Sequence, residues 1–463
     1  MEKDWNSIKF YKTNMNKKLI LWSVTVALGG LLFGMDTVVI SGANLPTKAL
    51  WHTSPIFHGF FIMSMALWGT VLGALFSGMV ADRFGRKKVL IWIGLFFTVS
   101  SLVTAIAPDP YTFSFFRFLG GVAIGASSVV IPTYISEISN PGNRGKLVGL
   151  YQFNIVFGIL AAFISNYILK GVGGDNDWRY MLGVLGIPSI IYSILVFYVP
   201  ESPRWLISKK QDINTARVIL AKIGVADVDA EVSEIQSASV QTNTGNSKTS
   251  LFDKKYSRLV SLAFLIAFFN QLSGINFILY YAPEILERAG LAAKDSLFSS
   301  ISIGGINLIF TFAGLYLIDR LGRKTLLVIG SFGYIISLAL VSWAFYSHAD
   351  SAFLLFSLLA FIASHAVGQG AVIWVFISEI FPTNIRAQGQ SFGSGVHWVF
   401  AAIITLITPV FLDAKDGIFK ENPWPIFAFF SFMMLLQLLW VVFKMPETKG
   451  VSLESLQKKL GIQ

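Results

Sequence analysis

Apolar residues in this chain fill unbroken runs of about twenty rather than alternating or recurring on one stripe. Such runs occupy residues 19–42, 57–81, 89–107, 112–135, 147–169 and 180–199, then 259–281, 297–318, 325–346, 352–377, 388–412 and 424–443. A hydrocarbon layer of about 30 Å is crossed by roughly twenty helical residues rising ~1.5 Å each. No water inside that layer satisfies backbone N–H and C=O groups, so each run predicts a helix, and the alternation of a barrel strand is absent. The pattern predicts an all-α membrane protein with twelve transmembrane helices. It divides into an N-terminal segment 1–18, a six-helix bundle 19–199, a linker 200–258, a second six-helix bundle 259–443 and a tail 444–463. Within the linker, Ile213–Gly224 and Ala230–Ala238 have the period of short amphipathic helices, and Gln241–Ser250 is rich in Ser, Thr and Asn.

Composition agrees with a lipid environment: 54% of residues are hydrophobic and 13% charged, against about half and a quarter in soluble domains. The net charge of +10 raises the question of nucleic acid, which the distribution of charge answers. With both termini and the even-numbered loops on one side, that side holds 28 of the 36 Lys and Arg and the other holds 7. This asymmetry orients a multi-pass protein of the cell membrane with both termini cytoplasmic, and no nucleic-acid partner is needed to explain it. Residues 1–18 are polar and basic, and the apolar run after them is too long for a signal peptide. There is no Cys, hence no disulfide framework. No phosphate-cradling loop of the G-x-x-x-x-G-K-[ST] type occurs, so no nucleotide is expected, and any uphill transport would have to draw on a gradient. No cofactor, metal or enzymatic activity is expected.

By this reading one basic residue, Arg117 in the fourth run, and one acidic residue, Asp36 in the first, lie inside the membrane. A charge at mid-helix costs roughly 2.5–3.5 kcal/mol on insertion scales, so such residues face a cavity or each other. Pairing favours the charged form of Asp36 and burial the neutral one. The two therefore read either as a switchable proton site or as a static buried ion pair.

The two halves repeat. Asp82-Arg83-Phe84-Gly85-Arg86-Lys87 returns as Asp319-Arg320-Leu321-Gly322-Arg323-Lys324. Ser136-Glu137 with Arg144 returns as Ser378-Glu379 with Arg386, and Pro200-Glu201-Ser202-Pro203-Arg204 as Pro446-Glu447-Thr448-Lys449-Gly450. Matched features at offsets of 237, 242 and 246 residues identify a duplicated six-span unit. Asp82, Arg83, Arg86, Glu137, Arg144, Glu201, Arg204, Asp319, Arg320, Arg323, Glu379 and Arg386 read as a cytoplasmic gate network, or more blandly as topology and helix-end charges.

These motifs resemble the major facilitator superfamily and, within it, the sugar porter family. Asp82–Lys88 and its repeat resemble the superfamily's loop signature. Pro200–Leu206 and Pro446–Gly450 are similar to two sugar porter signatures. Gln271-Leu272-Ser273-Gly274-Ile275-Asn276, followed by Tyr280-Tyr281, is similar to span seven of facilitative glucose transporters. Gly29–Asp36 resembles span one of bacterial xylose–proton symporters. The resemblance runs from about residue 19 to 455. It implies two pseudo-symmetric six-helix bundles, a clasp between the halves that closes when the protein opens outward, and a proton-coupling role for Asp36 with Arg117.

Amides offer paired donors and acceptors to vicinal hydroxyls, and flat aromatic faces cover the C–H face of a sugar ring. Gln271 and Asn276 diverge on an unbroken helix, and a break at Gly274 would turn both to one cavity. The resemblance adds Gln152, Asn270, Asn307, Trp374, His397 and Trp398 as sugar contacts. Span ten lacks the prolines relatives carry near Trp374, and His397 stands where relatives have Asn or Gln. His365 is expected to be a packing residue. The expected activity is uptake of a monosaccharide by alternating access, most simply as symport with a proton. A passive sugar facilitator and a transporter-like sugar sensor are the alternatives.

Overall fold

The computed structural model describes residues 16–244, 250–382, 385–451 and 455–456. The N-terminal segment up to 15, residues 245–249 of the Ser/Thr/Asn-rich linker, and residues 452–454 and 457–463 of the tail lie outside the described residues. Among the described residues, twelve helices are long and apolar enough to cross a membrane. Spans one to six are Lys17–Trp51, Met65–Phe84, Arg86–Ile106, Pro110–Ile138, Asn143–Leu169 and Gly174–Val196. Spans seven to twelve are Lys254–Arg288, Ala293–Leu321, Arg323–Tyr346, Ser351–Ile380, Arg386–Leu412 and Trp424–Lys444. Between the two sets, Ile213–Ile223 and Val228–Thr244 form the expected short helices.

Several spans outrun the apolar runs that announce them. Span seven continues through Pro283 and Glu284 to Arg288, and span four runs on to Ile138 past Glu137. Asp36 is therefore not the only acid inside a span, as the hydropathy pattern suggests. Glu284 is also buried. Hydropathy measures fitness for lipid, whereas the outer turns of span seven face protein, where a carboxylate can find a donor.

Lipid-like cores give helices no hydrophobic reason to associate, so close packing through small residues does that work. Spans two and four meet through two Gly-x-x-x-Gly faces, Gly69 with Gly73 and Gly121 with Gly125. A Cβ on Gly121 would sit 1.8 Å from the Ala66 carbonyl oxygen, and one on Gly125 2.2 Å from that of Thr70. This contact fixes the depth of span four, and so of Arg117, against its neighbours.

The loop motifs form tight reversals. Gly85 and Gly322 adopt φ of +94° and +93° between consecutive spans, with ψ of 157° and 166°. That backbone region is essentially reserved for glycine. A Cβ on Gly85 would also fall 2.2 Å from Glu201 Oε2. Gly85→Ala is therefore expected to cost about 1–3 kcal/mol in backbone strain and to shorten the half-life of the purified protein at elevated temperature. Gly78→Ala, where an added Cβ meets nothing within 4 Å, should leave that half-life unchanged or longer. Equal behaviour of the two variants would contradict this account of the turn.

Candidate functional site

Asp36 sits in the middle of span one and Arg117 in the first half of span four, and the structure brings them together. Arg117 Nη1 donates to Asp36 Oδ1 at 2.5 Å, and Nη2 donates to the Asp36 carbonyl at 3.2 Å. Both side chains are buried, at 1% and 2% exposure. Asp36 Oδ2 and Arg117 Nε are buried without a hydrogen-bond partner. Oδ2 faces the backbone of Gly120, where an added Cβ would lie 3.5 Å from it. One carboxylate oxygen is thus tied to the cation, and the other is left to take a proton or water.

Span seven breaks where the sequence places its glycine. The helix Ser257–Leu272 ends, Gly274 takes a left-handed φ of +85°, and a second helix begins at Ile275. The break turns Gln271 and Asn276 towards each other, and Asn276 Nδ2 donates to Gln271 Oε1 at 2.8 Å. Gln271 Nε2 donates to Asn270 Oδ1 at 3.1 Å and lies 3.1 Å from His397 Nε2 on span eleven. The His397 ring centroid is 4.9 Å from that of Trp374 and 4.8 Å from that of Trp398. Trp374 is 39% exposed while Trp398 is buried, so one indole faces open space and the other backs the histidine. Six of the eight expected sugar contacts converge here. Gln152 is half-buried and Asn307 buried, and neither has a hydrogen bond to this cluster among the described residues. His365 packs on Phe361 and bonds the Tyr334 hydroxyl at 3.2 Å, as a packing residue does.

Two aromatic residues lie between the ion pair and this cluster across the halves. Phe33, one turn before Asp36, lies 5.8 Å from Trp398, centroid to centroid. Tyr280, one turn beyond Asn276, has a buried hydroxyl without a partner and stands within electrostatic reach of Asp36 and Arg117.

The loop residues on the side of the termini form two matching networks, each inside its own half. Arg86 bonds Glu137 at 2.9 Å and Asp82 at 2.9 Å, and Glu201 accepts from the Arg86 and Lys87 backbone N–H groups at 2.9 and 3.1 Å. In the second half Arg323 bonds Glu379 at 2.7 Å and Asp319 at 3.2 Å, and Glu447 accepts from the Arg323 and Lys324 N–H groups at 2.9 and 3.0 Å. Each glutamate cap satisfies orphan donors at a helix N-terminus, where the helix dipole favours an anion. Arg204 reaches Glu231 of the linker helix at 3.8 Å. Arg83 and Arg320 lie over Phe84 and Tyr316, Arg386 donates to the Phe381 carbonyl, and Arg144 Nε is buried without a partner. Among the described residues, the ion pairs on this side lie within one half or between a half and the linker. Arg86 and Arg323 are each engaged by acids of their own half.

The polar bonds that cross between described residues of the two halves lie on the opposite side. Asn44 donates to Glu284 at 2.6 Å, and Lys48 pairs with Asp413. The sequence reading missed all four, together with Glu447 as the cap that matches Glu201. The repeat of Pro200-Glu201 in Pro446-Glu447 carried the signal for Glu447. For Glu284 the signal was its spacing of four from Tyr280, inside the apolar stretch Ala282–Leu286.

Comparison with known proteins places this geometry in company. The family model described as "Sugar (and other) transporter" matches residues 22–460. An arabinose–proton symporter of Bacillus subtilis is 35% identical, with 95% of this chain and 94% of that protein covered. A D-xylose transporter of Levilactobacillus brevis is 34% identical, with 94% of each covered. The partially occluded inward-open structure of the xylose transporter XylE from E. coli superposes with a TM-score of 0.82 at 30% identity, covering 94% of this chain and 99% of that one.

Glu447 lies just beyond span twelve. Partial burial pushes its carboxyl up, but the N–H groups of Lys449, Arg323, Lys324 and Thr448 outweigh this and hold it below its ordinary 4.5. Because the folded value is the lower one, the stabilisation is present above the unfolded value and is lost as pH falls through the folded one. Glu447→Gln is expected to lower the melting temperature at neutral pH by a few degrees, with the gap to the parent narrowing below about pH 4.5. A gap of constant size across that range, measured by melting in detergent, would contradict this.

Proposed function

Because the chain belongs to the sugar porter family of the major facilitator superfamily, we propose that it carries a monosaccharide, pentose or hexose, across the cell membrane together with a proton. It is a multi-pass membrane transporter of sugars rather than an enzyme. The finer reading adds alternating access, with both termini in the cytoplasm, the side that the positive charge favours.

The observation that carries proton coupling is the Asp36–Arg117 pair, with one carboxylate oxygen bound to the guanidinium and the other buried and unpartnered. A carboxylate in that setting is neutralised either by the arginine or by a proton. Protonation loosens the bond to Arg117 and frees span one to move against span four. Phe33 and Tyr280 carry that movement to the amide–aromatic cluster, where Gln271, Asn276, Asn270 and His397 bind hydroxyls and Trp374 covers the ring face. The hydrogen bonds these side chains make to one another are what a sugar's hydroxyls exchange for. The proton and the sugar thus act on one interface between the halves. The arabinose and xylose names of the relatives support a pentose, and the amide-rich cluster suits a hexose as well.

Two measurements in proteoliposomes test this. Wild type should concentrate sugar above equilibrium when an inward proton gradient is imposed. Asp36→Asn, a permanently neutral mimic of similar shape, should not exceed equilibrium but should still exchange sugar. Accumulation by that variant would put the proton site elsewhere, and a wild type that never accumulates would be a passive facilitator. Gln271→Ala leaves hydroxyls unpaired in a dehydrated site at about 1–3 kcal/mol. Sugar affinity should fall about tenfold or more, and unchanged affinity would remove Gln271 from the site.

A further inference from the structure

Beyond the proton site and the sugar cluster, the molecule buries a second acid at the place where its halves meet on the outer side. Glu284, in the outer part of span seven, is buried and accepts from Asn44 Nδ2 of span one at 2.6 Å. Asn44 Oδ1 in turn lies 2.9 Å from His58 Nε2, and His58 Nδ1 lies 2.9 Å from Thr53 Oγ1. The polarity of this chain is determined from its ends. The Thr53 hydroxyl donates to Nδ1, a neutral imidazole donates from Nε2 to the amide oxygen, and the amide nitrogen donates to the carboxylate. A single directed relay therefore terminates on Glu284 and joins the first half to the second.

The surrounding contacts make this the outer seal. His58 opens a π-helical turn, His58–Met63, at the start of span two, a distortion that often marks a working position. Its neighbour Gly59 lies against the Leu406 carbonyl of span eleven so closely that a Cβ would sit 1.9 Å from that oxygen. Lys48, one turn beyond Asn44, pairs with Asp413 at the end of span eleven, with Lys415 and Asp416 behind it.

The charges facing Glu284 come from each packed element. Lys48 faces it from span one, and Arg288 and Glu287 face it from the next turn of its own helix. Arg288 is held by the carbonyls of Phe419 and Lys420 at 3.1 and 2.6 Å and faces Glu421. Glu287 faces Lys170, which pairs with Asp177. His58 reaches the acid only through Asn44. Lys48 and Arg288 are thus within electrostatic reach of Glu284 from two elements, and its negative charge is what makes the bond across the halves charge-assisted.

We propose that Glu284 is a second proton-binding site of the transport cycle, an outer latch that is closed while Glu284 is ionised and released when it takes a proton from outside. The inference rests on alternating access but not on Asp36. Protonation removes the charge that Asn44, Lys48 and Arg288 share, which weakens the contact between spans one and seven and favours the outward-facing state. External acid then both opens the carrier to its sugar and supplies the proton that accompanies it.

The chain has no cysteine, so spin labels can be placed on the otherwise intact protein. Pro108→Cys and Ser347→Cys mark exposed outer ends of the two halves. Their separation is read by pulsed electron paramagnetic resonance at about pH 8 and about pH 5.5 in an Asp36→Asn background, where the inner site does not titrate. The long-distance population should rise about tenfold on acidification, the scale of one charge-assisted hydrogen bond. Added Glu284→Gln should hold the long distance at both pH values, and Asn44→Ala, which keeps the acid but cuts the crossing, should do the same. A separation that ignores pH in the Asp36→Asn background overturns the proposal, as does a pH response that survives Glu284→Gln. Loss of proton-driven accumulation in Asp36→Asn bears on the inner site alone, so the two readings fail separately.

Discussion

A carboxylate and a guanidinium buried together between helices hold each other in place, because neither has water to fall back on. Removing one partner of such a pair costs about 3–5 kcal/mol, while keeping both contributes little net stability. Asp36 and Arg117 therefore make poor scaffolding, and on the proposed reading the pair is the control element that a single proton would rearrange. Much of the first half is organised to present them. The glycine faces of spans two and four fix Arg117 in depth, Gly120 leaves room for the Ser100 side chain, which an added Cβ would meet at 2.4 Å, and Phe33 touches Trp398 from span one.

The same constraint explains the two ends of the molecule. On the side of the termini, partly buried glutamates work within each half: Glu201 and Glu447 close helix N-termini while Glu137 and Glu379 engage Arg86 and Arg323, and the duplicated sequence produces the arrangement twice. On the other side the polar groups bridge the halves, through Asn44 with Glu284 and Lys48 with Asp413. On the proposed reading of alternating access, the polar bonds that bridge the halves on one side and the intra-half bonds of Arg86 and Arg323 on the other would be exchanged between states.

Much of this is legible in the sequence, and the limits have physical causes. The twelve spans follow from run length, because lipid selects apolar residues and helix. The break at Gly274 is legible because Gln271 and Asn276 can meet only if the helix changes direction, and the structure brings them to 2.8 Å. The gate residues are legible as charges, but not as belonging to separate intra-half networks, since nothing in the chain says which acid an arginine has chosen in a given state. Glu284 escapes because a hydropathy run ends where residues stop suiting lipid, and the outer turns of span seven suit a protein neighbour instead. Gln152 and Asn307 match the family pattern, yet neither is bonded to the cluster that Gln271 organises.

Charge movement during sugar uptake bears most directly on whether the buried pair converts a proton gradient into sugar transport. The measurement is current across a supported proteoliposome membrane after a sugar jump, with pH equal on both sides. The account predicts a transient inward positive current that scales with sugar flux and is absent in Asp36→Asn while sugar exchange continues. Sugar flux in the wild type without any accompanying current would contradict it.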